Sequence, residues 1–264
     1  MSKLIKSITA SHWLRPFLLV IISLVLWELV VRIFKIPAYL IPKPLEVVDQ
    51  LAKEWPMLLS ETAPTTWATL GGFLLSVLVG VPAAVLIAYS PVIESFVYPL
   101  LVFSQSIPKI AIAPLFVVWF GFGIIPKVIS AFMLGFFPVV VSTVMGFKSL
   151  ERDMIDLAHS MGSSRWQMFY KISLPNALPA IFSGMKISIT LAVVGAVVGE
   201  FVGANSGIGY VLQKANGNFD LPLMFAALVV LSSVGVILFA ALEIIERFSI
   251  PWHASQRSQL QAQA

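Results

Sequence analysis

KVISAFMLGFFPVVVSTVMGF, residues 127–147, decides the fold. After the opening Lys127 it has no charged side chain as far as Phe147. A run of about 20 apolar residues is what a helix needs to cross the hydrocarbon core of a bilayer. Five similar stretches surround it: Phe17–Phe34, Thr65–Tyr89, Ser95–Phe120, Leu178–Phe201 and Leu221–Phe248. In lipid each must be helical, because every backbone donor and acceptor needs an internal partner. Six spans in 264 residues, 58% of them hydrophobic and 11% charged, describe an all-α membrane protein embedded in a lipid bilayer. An average soluble domain carries roughly 25% charge.

The rest of the composition excludes several classes. There is no cysteine, so disulfides, thiolate metal sites and cysteine nucleophiles are out. The net charge of +4 is small and scattered, which fits loops at an anionic leaflet and not nucleic acid. His12, His159 and His253 all fall outside the expected spans, so paired haem ligation within the bundle is excluded. No catalytic constellation, metal-ligand cluster or cofactor motif is present, and no Gly-x4-Gly-Lys-Ser/Thr phosphate loop. A secondary transporter or channel is the rival class. It would need mid-membrane coupling carboxylates or an inverted repeat, and neither is evident.

The chain divides into an N-terminal span with an outer amphipathic segment (1–64), a core of five spans (65–248) with a loop at 148–175, and a polar tail (249–264). Lys3, Lys6 and Arg15 precede the first apolar run like a signal sequence. No small-x-small cleavage site follows, so the run is read as a retained span. Val48, Leu51, Trp55 and Leu58 recur at helical spacing, which predicts an interfacial helix with Pro44 in its first turn. Lysine and arginine crowd the span ends on the side of Lys148–Lys171 and both tails. That side is expected to face the cytoplasm.

The loop LERDMIDLAHSMGSSRWQMFYKISLP, residues 150–175, holds the most local information. Leu150, Met154, Leu157, Ala158 and Met161 predict a one-sided apolar helix. Gly162 suits the left-handed turn that ends it. Ser164 and Gln167 suit a capping box for a second short helix, with Trp166, Phe169 and Tyr170 as an aromatic face and Pro175 as its stop. Packing on its own bundle and docking of a partner both account for that apolar surface.

Asp156-Leu157-Ala158, then Gly162, then Ile172-Ser173-Leu174-Pro175, resembles the cytoplasmic loop of binding-protein-dependent ABC permeases. That loop reads Glu-Ala-Ala, three residues, Gly, nine residues, Ile-x-Leu-Pro. Two positions depart: Asp156 stands for Glu and Leu157 for the first Ala. IPKP (41–44), SIPKIAIAPLFVVWFGFG (106–123) and GEFVGANSGIGY (199–210) are similar to segments of the nitrate/sulfonate/taurine permease group. The resemblance implies a type I ABC importer permease of the bacterial inner membrane, with both termini cytoplasmic. Its partners would be two ABC ATPase subunits, a periplasmic solute-binding protein and a second permease copy, as a homodimer. Asp156, Leu157, Ala158, Gly162, Ile172, Leu174 and Pro175 would couple to the ATPase. The implied solute is a small anion or organic molecule: a sulfonate, taurine, nitrate or a vitamin precursor.

Within the spans, Lys109 lies between Pro108 and Pro114, which interrupt the third span as a broken helix, and Glu200 near the outer end of the fifth span. Intramembrane ionisable groups are path candidates. Lys109 could instead snorkel or cap freed carbonyls, and Glu200 could form a structural pair. Glu28 and Arg32 are four apart and predict a helical ion pair. Gly184, Ser188, Ala192, Gly195, Gly199 and Gly203 form a small-residue stripe, which suits close helix packing, within the chain or across a dimer axis, and equally the lining of a path that opens and closes.

Overall fold

The computed structural model describes residues 14–252, with side chains from Leu18 onward. Lys3, Lys6, His12, His253, Arg257 and most of the expected tail lie outside the described residues. The described elements are helices: α1 (Leu14–Ile33), α2 (Pro44–Lys53), α3 (Trp55–Tyr89), α4 (Pro91–Gln105), α5 (Lys109–Phe120), α6 (Ile124–Lys148), α7 (Arg152–Ser160), α8 (Arg165–Met168), α9 (Leu174–Gly203), α10 (Ile208–Gly217) and α11 (Leu221–Ser249). Four helical runs are long and apolar enough to cross a membrane: α3, α6, Arg165–Gly203 and α11. A fifth crossing arises if α4 and α5 count as one span, bent by 95°. At the position of the first expected span stands α1, 20 residues long.

The third span is broken at Pro108, as the sequence suggests, into two helices, because Pro108 cannot donate a backbone N–H and biases the residue before it away from helix. Two sequence expectations change. The second span begins at Trp55, ten residues before Thr65, and runs through Pro64. Keeping the helix continuous satisfies its backbone without water. Consequently α2 stops at Lys53 and Trp55 belongs to the next helix. Its buried apolar residue is Val47, whereas Val48 is 58% exposed.

The described residues form two compact units, 14–60 with 211–230, and 61–210 with 231–252. In the first, the Trp27 ring meets Phe225 with centroids 5.5 Å apart. Arg32 pairs with Glu28 along α1, as their spacing predicts. Pro44 sits in the first turn of α2. There the Lys43 backbone N–H donates to Glu46 Oε2 at 3.0 Å and its ammonium to Oε1 at 2.8 Å. These bonds hold the Glu46 carboxyl below its ordinary pKa.

In the second unit α9 lies along α6, and its glycines mark the contact. A Cβ at Gly195 would come 2.6 Å from Ala131 Cα, and one at Gly199 2.8 Å from Lys127 Cα. At Gly184 it would meet Ser142 Cβ at 2.6 Å. Ala68 and Phe73 of α3, Ala131 of α6, Phe182, Ile189, Ala192 and Ala196 of α9 and Leu242 of α11 form one buried cluster. Without a hydrophobic drive between helices in lipid, such backbone approach supplies the van der Waals contact that holds a bundle.

Gly195→Leu should therefore destabilise the fold, by about 1–3 kcal/mol if the helices part to admit the side chain. Gly235→Leu, where an added Cβ meets nothing within 4 Å among the described residues, should leave the melting temperature in detergent nearly unchanged. Equal melting temperatures for the two variants would contradict the packing described.

Candidate functional site

The backbone turns from α9 into α10 over Ala204–Gly207, and a buried polar cluster pins that turn. Glu200, in the last turn of α9, has no exposed surface, and Lys127 of α6 is 4% exposed. Lys127 Nζ donates to Glu200 Oε1 at 3.3 Å and to the Ser206 carbonyl at 2.6 Å. Thr65 Oγ1 of α3 lies 2.9 and 3.0 Å from the two Glu200 oxygens, donates to that carboxylate, and accepts from Ile208 N–H at 2.8 Å. Gly209 N–H donates to Glu200 Oε2 at 2.8 Å, and Gly207 N–H donates to Glu61. Gly207 has φ +108, and a Cβ there would land on the Glu200 carboxylate. One carboxylate thus joins α3, α6, α9 and the start of α10.

Among the two readings of Glu200, the geometry is that of a structural pair: its carboxylate is enclosed and fully bonded. Sequence reasoning missed its partners. Lys127 stands at the start of a span, 73 positions from Glu200, and Thr65 is 135 positions away. The only local signal was the glycine pair Gly207 and Gly209 just beyond Glu200. Lys186 of α9 was missed as well; it pairs with Glu246 of α11. Lys109, at the start of α5, holds its ammonium 4.0 Å from the centroid of the Phe137 ring, a cation–π contact. Gly203 lies against Phe122, where a Cβ would come 2.8 Å from the ring.

At the opposite end of α9 the loop after α6 folds as a helix–turn–helix. Gly162 has φ +76, so its N–H can bond the His159 carbonyl at 2.9 Å while Ser163 N–H bonds Ala158 O at 3.1 Å. The capping box forms: Gln167 N–H donates to Ser164 Oγ at 3.3 Å, and Ser164 N–H to Gln167 Oε1 at 2.9 Å. In α7, Ala158 is buried, while Asp156 and Leu157 are exposed. The aromatic face divides. Phe169 turns inward and stacks on Phe147 at 5.8 Å, beside Tyr89. Trp166 and Tyr170 stack on each other at 5.7 Å, 71% and 58% exposed.

Pro175 does not stop the second helix. It sits in the first turn of α9, and the π-helical turn Phe169–Ser173 joins α8 to α9 without a break. A π turn widens the helix where proline removes an N–H and crowds the preceding turn. Ile172, Leu174 and Pro175 are half-buried along this passage.

Among the described residues no group of three His, Asp or Glu side chains is placed to hold a metal ion. The fold and this loop define a polytopic helical component of a membrane transporter. Residues 76–249 match the family described as binding-protein-dependent transport system inner membrane component, and the chain belongs to that family, the permease subunits of ABC importers. It is 39% identical to the formylaminopyrimidine transport permease protein ThiX of Halalkalibacterium halodurans, over 92% of this chain and 97% of that one. It is 36% identical to the riboflavin transport system permease protein RibX of Chloroflexus aurantiacus, over 88% and 87%. Against the taurine transport system permease protein TauC of Escherichia coli the identity is 28%, over 88% and 87%. Its fold matches a chain of the inward-facing MetNI methionine ABC transporter with a TM-score of 0.63, at 21% identity, over 72% of this chain and 95% of that one.

A double-mutant cycle measures the cluster. Lys127→Met alone should cost about 3–5 kcal/mol by leaving the Glu200 carboxylate buried without its cation. Adding Glu200→Gln should recover a large part of the loss. Thermal unfolding in detergent reads both, and strictly additive losses would mean the two side chains do not interact.

Proposed function

We propose that this permease forms half of a translocation path with a second copy of itself, docks one of two ABC ATPase subunits through residues 150–175, and receives solute from a binding protein outside. The single observation that carries the reading is the exposed apolar face of that loop. Leu157 is 57% exposed, Met161 77% and Trp166 71%, on two short helices joined at Gly162. Such a patch marks an interaction site. Asp156, Leu157, Ala158, Gly162, Ile172, Leu174 and Pro175 carry the coupling in this reading, and ATP is hydrolysed on the partner.

Among the described residues nothing lies within 4 Å of a Cβ added at Gly162. The cost of Gly162→Val is then the backbone strain of a β-branched residue at positive φ, at least about 1 kcal/mol, confined to the loop. The variant should keep its melting temperature within a few degrees yet lose ATPase retention on co-purification or uncouple hydrolysis from uptake. Normal retention and normal uptake would reduce the loop to a passive connector.

Lys148, Arg152, Arg165 and Lys171 gather at the loop end of the bundle. By the positive-inside rule that end and both termini face the cytoplasm, and the turn at Ala204–Gly207 faces outward. A cysteine at Ser163 should then resist an impermeant thiol reagent added to whole cells, while one at Asn205 reacts. The opposite pattern would invert the topology.

The solute we assign to this permease is a neutral heteroaromatic vitamin or vitamin precursor, ahead of a sulfonate or nitrate. The relatives at 39% and 36% identity carry names for formylaminopyrimidine and riboflavin transport, while the taurine permease stands at 28%. Uptake of formylaminopyrimidine, riboflavin and taurine by vesicles containing the complete transporter separates the two classes.

A further inference from the structure

Where α5 passes into α6 and α9 into α10, the second unit has a cavity of about 230 Å³. Lys127 lines it, and this ammonium is already spent on Glu200 and the Ser206 carbonyl. Pro64 and Ile124 provide apolar wall. Phe122 and Asn205 stand at its rim. Phe122 sits between Gly121 (φ +74) and Gly123 (φ +146), two backbone conformations that side-chain-bearing residues rarely adopt. Its ring lies on Gly203, and the residue is 75% exposed. The Asn205 side chain is exposed and makes no hydrogen bond to the described residues.

These walls discriminate among ligands. An anion gains little, because the Lys127 charge is offset by Glu200 at 3.3 Å and Glu61 adds a second carboxylate beside Gly207. A cation gains little, because Glu200 is enclosed and paired with Lys127, while Glu61 accepts from the Gly207 N–H and does not line the cavity. A neutral planar ring gains an open aromatic face at Phe122, and its edge gains the Asn205 amide, which both donates and accepts. The volume is below the ~300–1,000 Å³ of pockets that enclose a whole drug-sized ligand, so one ring system fits at a time.

We infer that this cavity is a solute subsite at the outer end of the path, where a neutral heteroaromatic ring stacks on Phe122 and its polar edge is read by Asn205. The inference rests on the heteroaromatic solute assigned above and adds the residues that receive it.

The chain has no cysteine, so Ile124→Cys places a single thiol of this subunit in the cavity wall. The complete transporter in membrane vesicles is labelled with a maleimide in the presence of empty receptor, or of receptor loaded with formylaminopyrimidine or riboflavin. Loaded receptor should slow labelling relative to empty receptor. Adding Phe122→Ala should weaken that protection on the order of 10-fold, the worth of one ring stack, and Phe122→Tyr should keep it. Equal labelling with empty and loaded receptor overturns the subsite, as does full protection in Phe122→Ala. Should Phe122→Ala fail to fold, the loaded-against-empty comparison in the Phe122 background still decides. Wild-type uptake separates the two levels. Vesicles that accumulate the ring compounds while loaded receptor leaves Ile124→Cys labelling unchanged keep the solute class and lose the subsite. Vesicles that accumulate taurine and neither ring compound lose both.

Discussion

Direct backbone contact between α6 and α9 is the constraint on which the second unit depends. At Gly184, Gly195 and Gly199 the nearest atoms across the interface are main chain or Cβ, at distances that leave no room for a methyl group. In water a bundle gains stability by hiding apolar side chains, but between lipid-facing helices that gain vanishes. What remains is dispersion, which grows with closeness, and hydrogen bonds that lipid cannot replace. The buried hydroxyls of Thr65, Thr69 and Ser76 on α3 fit the same logic, since each finds a partner within the bundle.

That closeness has an electrostatic counterpart. Gly199 brings the Lys127 backbone against α9, and the Lys127 ammonium then reaches the carboxylate of the next residue, Glu200. A charge pair so deep in protein is a poor source of net stability, because desolvation offsets most of the attraction. Its value is geometric. The carboxylate accepts from Thr65 and Gly209 as well as Lys127, so the turn Ala204–Gly207 has one conformation that satisfies every group. The cavity beside Phe122 inherits its shape from that fixed turn.

Much of the fold was legible because its signals are local. Apolar run length located the spans, and the membrane-permease class followed from the motif at 156–175. The Gly162 turn and the Ser164–Gln167 capping box are patterns of four or five residues, and both form. Elements that depend on distant partners were not legible. Lys127 read only as the cation that opens a span, because Glu200, its partner, is 73 positions away. Lys186 drew no notice because Glu246 lies on another helix. Phe169 could not be told from Trp166 and Tyr170, since only the position of Phe147 and Tyr89 turns it inward. Proline misled twice, at Pro64 and Pro175, because its cost in a helix depends on what else can satisfy the freed carbonyl.

The π turn at Phe169–Ser173 has a mechanical consequence. It welds the short helix carrying Trp166 to α9, giving one helical run of 39 residues from Arg165 to Gly203. At 1.5 Å per residue that is a rod of about 58 Å. A flexible linker at Pro175 would absorb a push applied at Trp166 as slack. A stiff rod carries the push along its length as translation or rotation, and its far end holds the Glu200 carboxylate that fixes the turn at Ala204–Gly207. Work done at the Trp166 end therefore reaches the Ala204–Gly207 turn through a single part, with no joint between them at which the stroke is lost.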